Sequence, residues 1–296
     1  MSAFRACERL AAGRRLPYCF SSMSPALSDH PAFLTRLEAA AREAGEIAMR
    51  YFRPGALTAA AISYKGGGSP VTEADFAVDR FLFEKMRGLA PEAGWLSEET
   101  ADTEDRLSRE RLIIVDPIDG THAFTRGDER WAVSIALIES GRPVAGVVHA
   151  PAREETFTAA RGHGAWLNGE RLTIPARATL AGARVIAPRP LHARIAALPQ
   201  NIAIAPRTPS LALRLVDIAA GRHDLVISSP NARDWDIAGA DAILREAGVG
   251  LEEVEDGEIT YNRSSSKRGM LVAAPKSLIE ETRNIARTVS EGIDWS

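Results

Sequence analysis

Apolar residues recur along the chain in two rhythms, and the balance between them changes near residue 180. Leu37, Ala41, Ala44, Ala48 and Tyr51 fall at helical spacing and predict an amphipathic helix that stops before Pro54. A second helix is expected over residues 72–87, with Phe76, Val78, Leu82, Phe83 and Met86 turned to the core. Between them, residues 55–70 are rich in Gly and Ala, and Lys65-Gly-Gly-Gly-Ser-Pro70 reads as a mobile loop. Leu112 to Val115 form the uninterrupted apolar run of a buried strand. Residues 131–138 and 144–149 also read as strands, and Asn168-Gly169 as a hairpin turn. From Ala183 onward, strands at 184–187, 224–228 and 270–273 alternate with helices near 210–220, 235–247 and 276–290. The pattern predicts an α+β half over residues 31–180, then an α/β half over residues 181–296. No internal repeat is visible.

Composition narrows the class without naming a function. A hydrophobic share of 45% and a charged share of 25% over 296 residues suit a soluble globular protein with ample core. A net charge of −3 gives no general attraction to nucleic acid polymers or anionic membranes, so neither is an expected partner. No apolar run reaches the roughly 18 residues of a membrane span. Cys7 and Cys19 are the only cysteines, which implies neither a disulfide framework nor a thiolate metal site and fits a cytoplasmic setting. Residues 1–30 are expected to form a disordered extension. Within residues 1–23, Arg5, Arg9, Arg14 and Arg15 stand against the single acid Glu8, with Ser2, Ser21 and Ser22 adding to the bias. A disordered extension, or a start placed ahead of the true one at Met23, is favoured over a transit peptide because helical patterning is poor.

The strand at Leu112–Val115 ends abruptly in Asp116 and Asp119, followed by Gly120-Thr121. A buried strand that delivers two carboxylates needs a compensating charge, and a hard divalent cation supplies one. The amides of Gly120 and Thr121 offer an anion a place beside it. Asp75 opens the second helix, Glu98 and Glu99 follow Trp95-Leu96, and Asp236 begins a helix after Trp235. Singly, such acids are ordinary caps or solvated turns. Together they suggest an oxygen cage for Mg²⁺.

These motifs resemble those of the inositol monophosphatase superfamily, the lithium-sensitive, Mg²⁺-dependent phosphatases. Asp116-Pro-Ile-Asp-Gly-Thr121 matches the first signature and Trp235-Asp-Ile-Ala-Gly-Ala-Asp-Ala-Ile-Leu-Arg-Glu-Ala-Gly248 the second, while Val71–Asp75 and Ser97–Glu99 match two upstream acidic motifs. The match runs over residues 33–275. Its departure is Gly248-Val249-Gly250 where two adjacent glycines are usual, a change expected to be tolerated. The resemblance implies a layered α-β-α-β-α sandwich, as in inositol monophosphatase and fructose-1,6-bisphosphatase. It implies two or three Mg²⁺ ions held by Glu98, Asp116, the Ile118 carbonyl, Asp119 and Asp236. Thr121 and Glu98 would orient and deprotonate the attacking water, Asp75 would hold Thr121, and Asp236 would assist departure of the alcohol. Gly120, Thr121, Ser210 and Lys65 would contact the phosphate ester, and the enzyme would be a monomer or a homodimer.

Substrate class rests on smaller features. Ser97-Glu98-Glu99, Lys65–Asp75, Gly146–Pro151 and Ser210-Leu211 resemble the CysQ-type 3′(2′),5′-bisphosphate nucleotidases. Inositol monophosphatases tend to carry a Glu about seven residues before the second-signature Asp; here Ser229 stands there. Losing that acid suits a second phosphate, for which Arg233, Arg207 or Lys65 are candidate partners. Hydrolysis of a 3′(2′),5′-bisphosphate nucleotide is therefore expected ahead of inositol 1-phosphate or a related sugar phosphate. A strand entering Asp-x-Asp-Gly-Thr would suggest a haloacid dehalogenase-like enzyme with an aspartyl nucleophile. Here two residues separate the acids, and Glu98, Glu99 and Asp236 would have no role. A catalytically silent binding module is a third reading, opposed by the full set of acids. Gly66-Gly67-Gly68 lacks the spacing of a phosphate loop, His122 reads as a site-rim residue, and Trp131 and Trp166 as packing residues.

Overall fold

The computed structural model describes residues 29–174 and 177–295. The expectations for residues 1–28 lie outside the described residues. The helices are α1 His30–Met49, α2 Glu73–Leu89, α3 Thr121–Thr125, α4 His192–Ala196, α5 Leu211–Ala219, α6 Asp234–Ala247 and α7 Ile279–Ser290. A small hairpin pairs β1 Ile62–Tyr64 with β2 Pro70–Thr72. The first large sheet runs in chain order: β3 Gly94–Ser97, β4 Arg111–Asp119, β5 Ala132–Glu139, β6 Arg142–Ala150, β7 Glu155–Ala160, β8 Ala165–Leu167 and β9 Glu170–Arg171. The second holds β10 Arg184–Ile186, β11 Ala203–Ile204, β12 Leu225–Ile227, β13 Val249–Glu253, β14 Gly257–Glu258 and β15 Leu271–Pro275. Its spatial order is β11-β10-β12-β15-β13-β14.

Alternation along β4 shows how the layers form. Ile113 and Val115 face one way, into a cluster with Leu37, Ala41, Ala44 and Leu82 from α1 and α2. Leu112 and Ile114 face the other way, onto Leu213, Leu215, Ile237 and Ile243 from α5 and α6. Val226, Leu251 and Ala273 of the second sheet close that same cluster from beyond the two helices. Leu225, Ile227, Val272 and Ala274 point outward to Ile195, Ile285 and Val289 on α4 and α7. The result is helices, sheet, helices, sheet, helices: the five-layer sandwich. The sheets change over between Arg171 and Arg184, yet the layer at the centre belongs to both, so α5 and α6 are core to each half.

Several local expectations change. The Gly-rich stretch is the turn of the β1–β2 hairpin, closed by Lys65 N donating to Ser69 O at 2.9 Å. Phe76 lies on the outer side of the first turn of α2 and is 46% exposed, while Phe83 packs its ring edge-on to Trp95 at 5.3 Å. Short strands β7, β11, β13 and β14 are not signalled by periodicity. Val249, in place of a second glycine, is buried in β13, and Gly248 takes the left-handed conformation that ends α6.

The seat of α6 on the first sheet is set by backbone proximity. A Cβ on Gly146 of β6 would stand 2.5 Å from the Gly239 carbonyl oxygen and 2.6 Å from the Ala242 Cβ. A Cβ on Gly239 would meet Ser134 Oγ at 2.5 Å. Gly146→Ala should therefore push α6 off the sheet and lower stability by about 1–3 kcal/mol. Urea denaturation checks this; an unchanged midpoint would contradict the close approach.

Candidate active site

In the first sheet only β3 and β4 run parallel, and that pairing creates the site. The register sets Ser97 against Val115, so Glu98, just past the end of β3, stands beside Asp116, which is still paired with Ser134 of β5. Glu98 N still donates to Val115 O at 3.3 Å. Pro117 and Ile118 then interrupt the pairing with β5, a bulge that turns Asp119. From the second half, α6 brings Asp236, whose Oδ2 accepts Arg233 N at 2.7 Å and caps its own helix. One carboxylate oxygen each from Glu98, Asp116 and Asp236 lies within 4.8 Å of the others. An all-oxygen acidic donor set of this kind fits a hard divalent cation such as Mg²⁺.

The second ring of contacts positions these acids. Thr72 and Asp75 form a reciprocal cap at the start of α2, with Thr72 N and Oγ1 donating to Asp75 Oδ2 at 2.8 and 2.6 Å. Asp75 Oδ1 then accepts the Thr121 hydroxyl at 3.2 Å, which also reaches the Ile118 carbonyl at 3.0 Å. Gly120, at φ +93°, makes the left-handed turn into α3, and a Cβ there would press on Arg130 O and Ser210 at 3.2–3.3 Å.

Burial and crowding push these carboxyls upward. Asp116 is raised well above the usual carboxylate range by desolvation, reinforced by Glu98, Asp119, Asp236 and Asp75. Asp236 is raised in the same way by desolvation and by Asp119. Asp75 is pushed up to about 6 by desolvation against the pull of its Thr72 bonds. Glu99 reaches about 7 through desolvation, despite its bond from Lys65. A site whose acids resist ionisation for want of a counter-charge is one a cation stabilises.

Some expected site residues are placed differently. Asp119 stands outside the three-acid cluster: its Oδ2 accepts Ser210 Oγ at 2.5 Å and Ala212 N at 2.6 Å, binding it to the start of α5. It still lines the cavity. Ser210 is wholly buried, its hydroxyl donating to Asp119 and accepting Leu213 N at the cap of α5. Lys65 sends its ammonium to Glu98 and Glu99 at 2.7 Å each, where the unbalanced acids attract it. Burial works against that charge, yet the two carboxylates, Glu98 foremost, outweigh it and hold the pKa above the usual value. His122 lines the cavity and is exposed, whereas His149 is buried against Thr156 Oγ1 at 2.9 Å.

The cavity itself, about 590 Å³, runs from Glu98, Asp116, Asp119 and Asp236 past Gly120 and Thr121 to Arg126, Arg130 and Arg207. Arg126 and Arg130 do not stand out in the sequence, nor does Asp79, one helical turn after Asp75. Arg214 is a further residue that sequence reasoning misses. It is buried near Asp119 and Asp236, held by the carbonyls of Thr208 and Pro209 at 3.0 and 3.2 Å. The i, i+4 spacing of Asp75 and Asp79 is a usable signal; the arginines carry none.

Residues 31–291 match the model of the inositol monophosphatase family. The chain belongs to that family. A Haemophilus influenzae protein named Nus factor SuhB is 36% identical over 258 residues, 84% of this chain and 93% of the relative. An inositol-1-monophosphatase from Mesorhizobium japonicum is 32% identical over 263 residues, 83% of this chain and 97% of the relative. Among solved structures, a Thermotoga maritima IMPase superposes with a TM-score of 0.74 at 27% identity, covering 88% of this chain and 99% of its own. Membership in the inositol monophosphatase family makes the protein a phosphomonoesterase of metal-dependent type and sets the haloacid dehalogenase reading aside. Ser210→Ala should leave Asp119 with one donor fewer and lower turnover about 10–100-fold, with a stability loss of about 1–2 kcal/mol. Steady-state kinetics beside urea denaturation measures both; full activity would exclude a role for the Ser210–Asp119 bond.

Proposed function

We propose that this chain hydrolyses small phosphomonoesters with Mg²⁺ held by Glu98, Asp116 and Asp236, Asp119 and the Ile118 carbonyl completing the shell of two or three ions. The observation that carries the reading is the three-acid cluster sharing one cavity with Gly120 and Thr121. Bound there, the metal supplies charge neutralisation for the phosphate and for the attacking and leaving oxygens. The chain's own groups do the rest. The Thr121 hydroxyl is directed toward Ile118 O and Asp75, leaving its lone pairs to accept a hydrogen bond from the attacking water and orient it. Glu98 takes the proton from that water, while Asp75 holds the Thr121 hydroxyl in place. The amides of Gly120 and Thr121 hold the phosphate, water oxygen bonds to phosphorus, the ester P–O bond breaks, and Asp236 assists protonation of the departing alcohol.

For the ester's other end, a second anionic group is favoured. Ser229 replaces the acid that would repel one, and Arg126 and Arg207 line the cavity. Of the other candidate cations, Lys65 is occupied by Glu98 and Glu99, and Arg233 lies over the Trp235 ring at 5.9 Å. A 3′(2′),5′-bisphosphate nucleotide fits this reading. Inositol 1-phosphate is the second reading, favoured by the name of the Mesorhizobium relative.

Phosphate release with Mg²⁺ from 3′-phosphoadenosine 5′-phosphate and from inositol 1-phosphate, with and without Li⁺, decides between them. Asp116→Asn and EDTA treatment should each abolish turnover with the fold intact; retained turnover would end the metal reading. Arg126→Ala with Arg207→Ala should raise KM for the bisphosphate about tenfold or more and leave inositol 1-phosphate little changed. Preference for the inositol ester by the parent chain would replace the nucleotide.

A further inference from the structure

The carboxylate of Asp79 is one helical turn beyond Asp75 on α2, buried, and used by nothing in the proposed reaction. Its two oxygens take two hydroxyls from the segment that carries Glu98 and Glu99. Ser97 Oγ donates to Asp79 Oδ1 at 2.5 Å, and Thr100 Oγ1 donates to Asp79 Oδ2 at 2.6 Å. The two hydroxyls thus bracket Glu98-Glu99 from both sides in sequence. Ser97 Oγ also accepts Glu99 N at 3.4 Å, so the bracket includes the backbone between the acids. Where this segment leaves β3, Glu98 N ties it to the sheet through Val115 O at 3.3 Å. Repulsion from Asp116 and Asp236 would otherwise carry Glu98 outward.

We propose that Asp79 is a positioning residue whose forked bonds to Ser97 and Thr100 hold Glu98 in its metal-binding place. The proposal rests on the reading of Glu98 as a metal ligand. Helix α2 then serves the site twice, since Asp75 orients Thr121 and Asp79, at i+4 on the same face, orients Glu98. Ser97 gains a function as well. It is buried with its hydroxyl committed to Asp79, so it acts on ligand placement.

The test is Mn²⁺ binding to the full chain, followed by electron paramagnetic resonance, with the melting temperature recorded for every variant. Asp79→Ala should weaken binding about 10–100-fold. The Ser97→Ala/Thr100→Val double variant should show a similar loss, and adding Asp79→Ala to it should bring little more, because all three residues make one unit. A purely structural Asp79 would lower the melting temperature and leave the affinity of the folded protein within about twofold of the parent, which would overturn the proposal. Full additivity of the losses would overturn it too. If Asp79→Ala does not fold, Thr100→Val alone, at a half-buried position, carries the test through a several-fold loss, and unchanged affinity there counts against the clamp. A parent chain that binds no Mn²⁺ would overturn the metal reading and the clamp with it. Binding by the parent, lost in Asp116→Asn but unchanged in Asp79→Ala, overturns the clamp alone.

Discussion

Mutual repulsion among carboxylates is the force this fold is built to contain. Glu98, Asp116 and Asp236 converge within a few ångströms in one cleft, and Asp75 and Asp119 stand next to them. Most of them are tied from behind. Asp236 caps α6, Asp75 caps α2, Asp119 is bonded to Ser210 and to the first turn of α5, and Asp116 accepts Ile118 N at 3.1 Å. Three helix starts and a parallel strand pair thus aim partial positive charge and backbone donors at the same acids. The arrangement leaves the front of the cluster unbalanced, which is the condition for binding a cation firmly with few ligands.

The layers explain how such a cluster is kept rigid. Glu98 and Asp116 inherit their spacing from strand register, and Asp236 inherits its place from a helix seated directly on backbone at Gly146 and Gly239. Neither depends on a long side chain finding its position. The cavity wall farther out is different: Arg126, Arg130 and Arg207 come from loops and short turns. The acid cluster is therefore set by regular structure, and the outer wall of the cavity by the parts that vary most easily.

Long periodic segments and acids abutting apolar runs are legible in the sequence. The helices at α1, α2, α5, α6 and α7, and β4 with its terminal acids, follow from local pattern, because each buries a face whose spacing is written in consecutive residues. Two-residue strands such as β11 and β14 are not legible, since so short a segment carries no period, and the partner of β11 lies across α4 in the chain. Periodicity misplaces Phe76 because an apolar residue in the first turn of α2 faces outward beside Glu73. In the site, the cage residues are readable as acids at element ends. The sequestration of Asp119 is not, because the hydroxyl that binds it comes from Ser210, 91 residues downstream. The pairing of Lys65 with Glu98 and Glu99 is not legible either, because the two segments lie apart in the chain and meet only in the fold.

The division of the cage between Asp116 and Asp236 has a consequence for the life of the molecule. A ribosome delivers Glu98 and Asp116 long before α6, and the central helical layer that completes both sheets is made of α5 and α6 together. A nascent or C-terminally clipped chain holds acids on a sheet whose second face is bare, without the third carboxylate. Asp236 and the apolar face of α6 therefore arrive with the same segment, so a chain cut before α6 lacks the third acid and the central packing layer together.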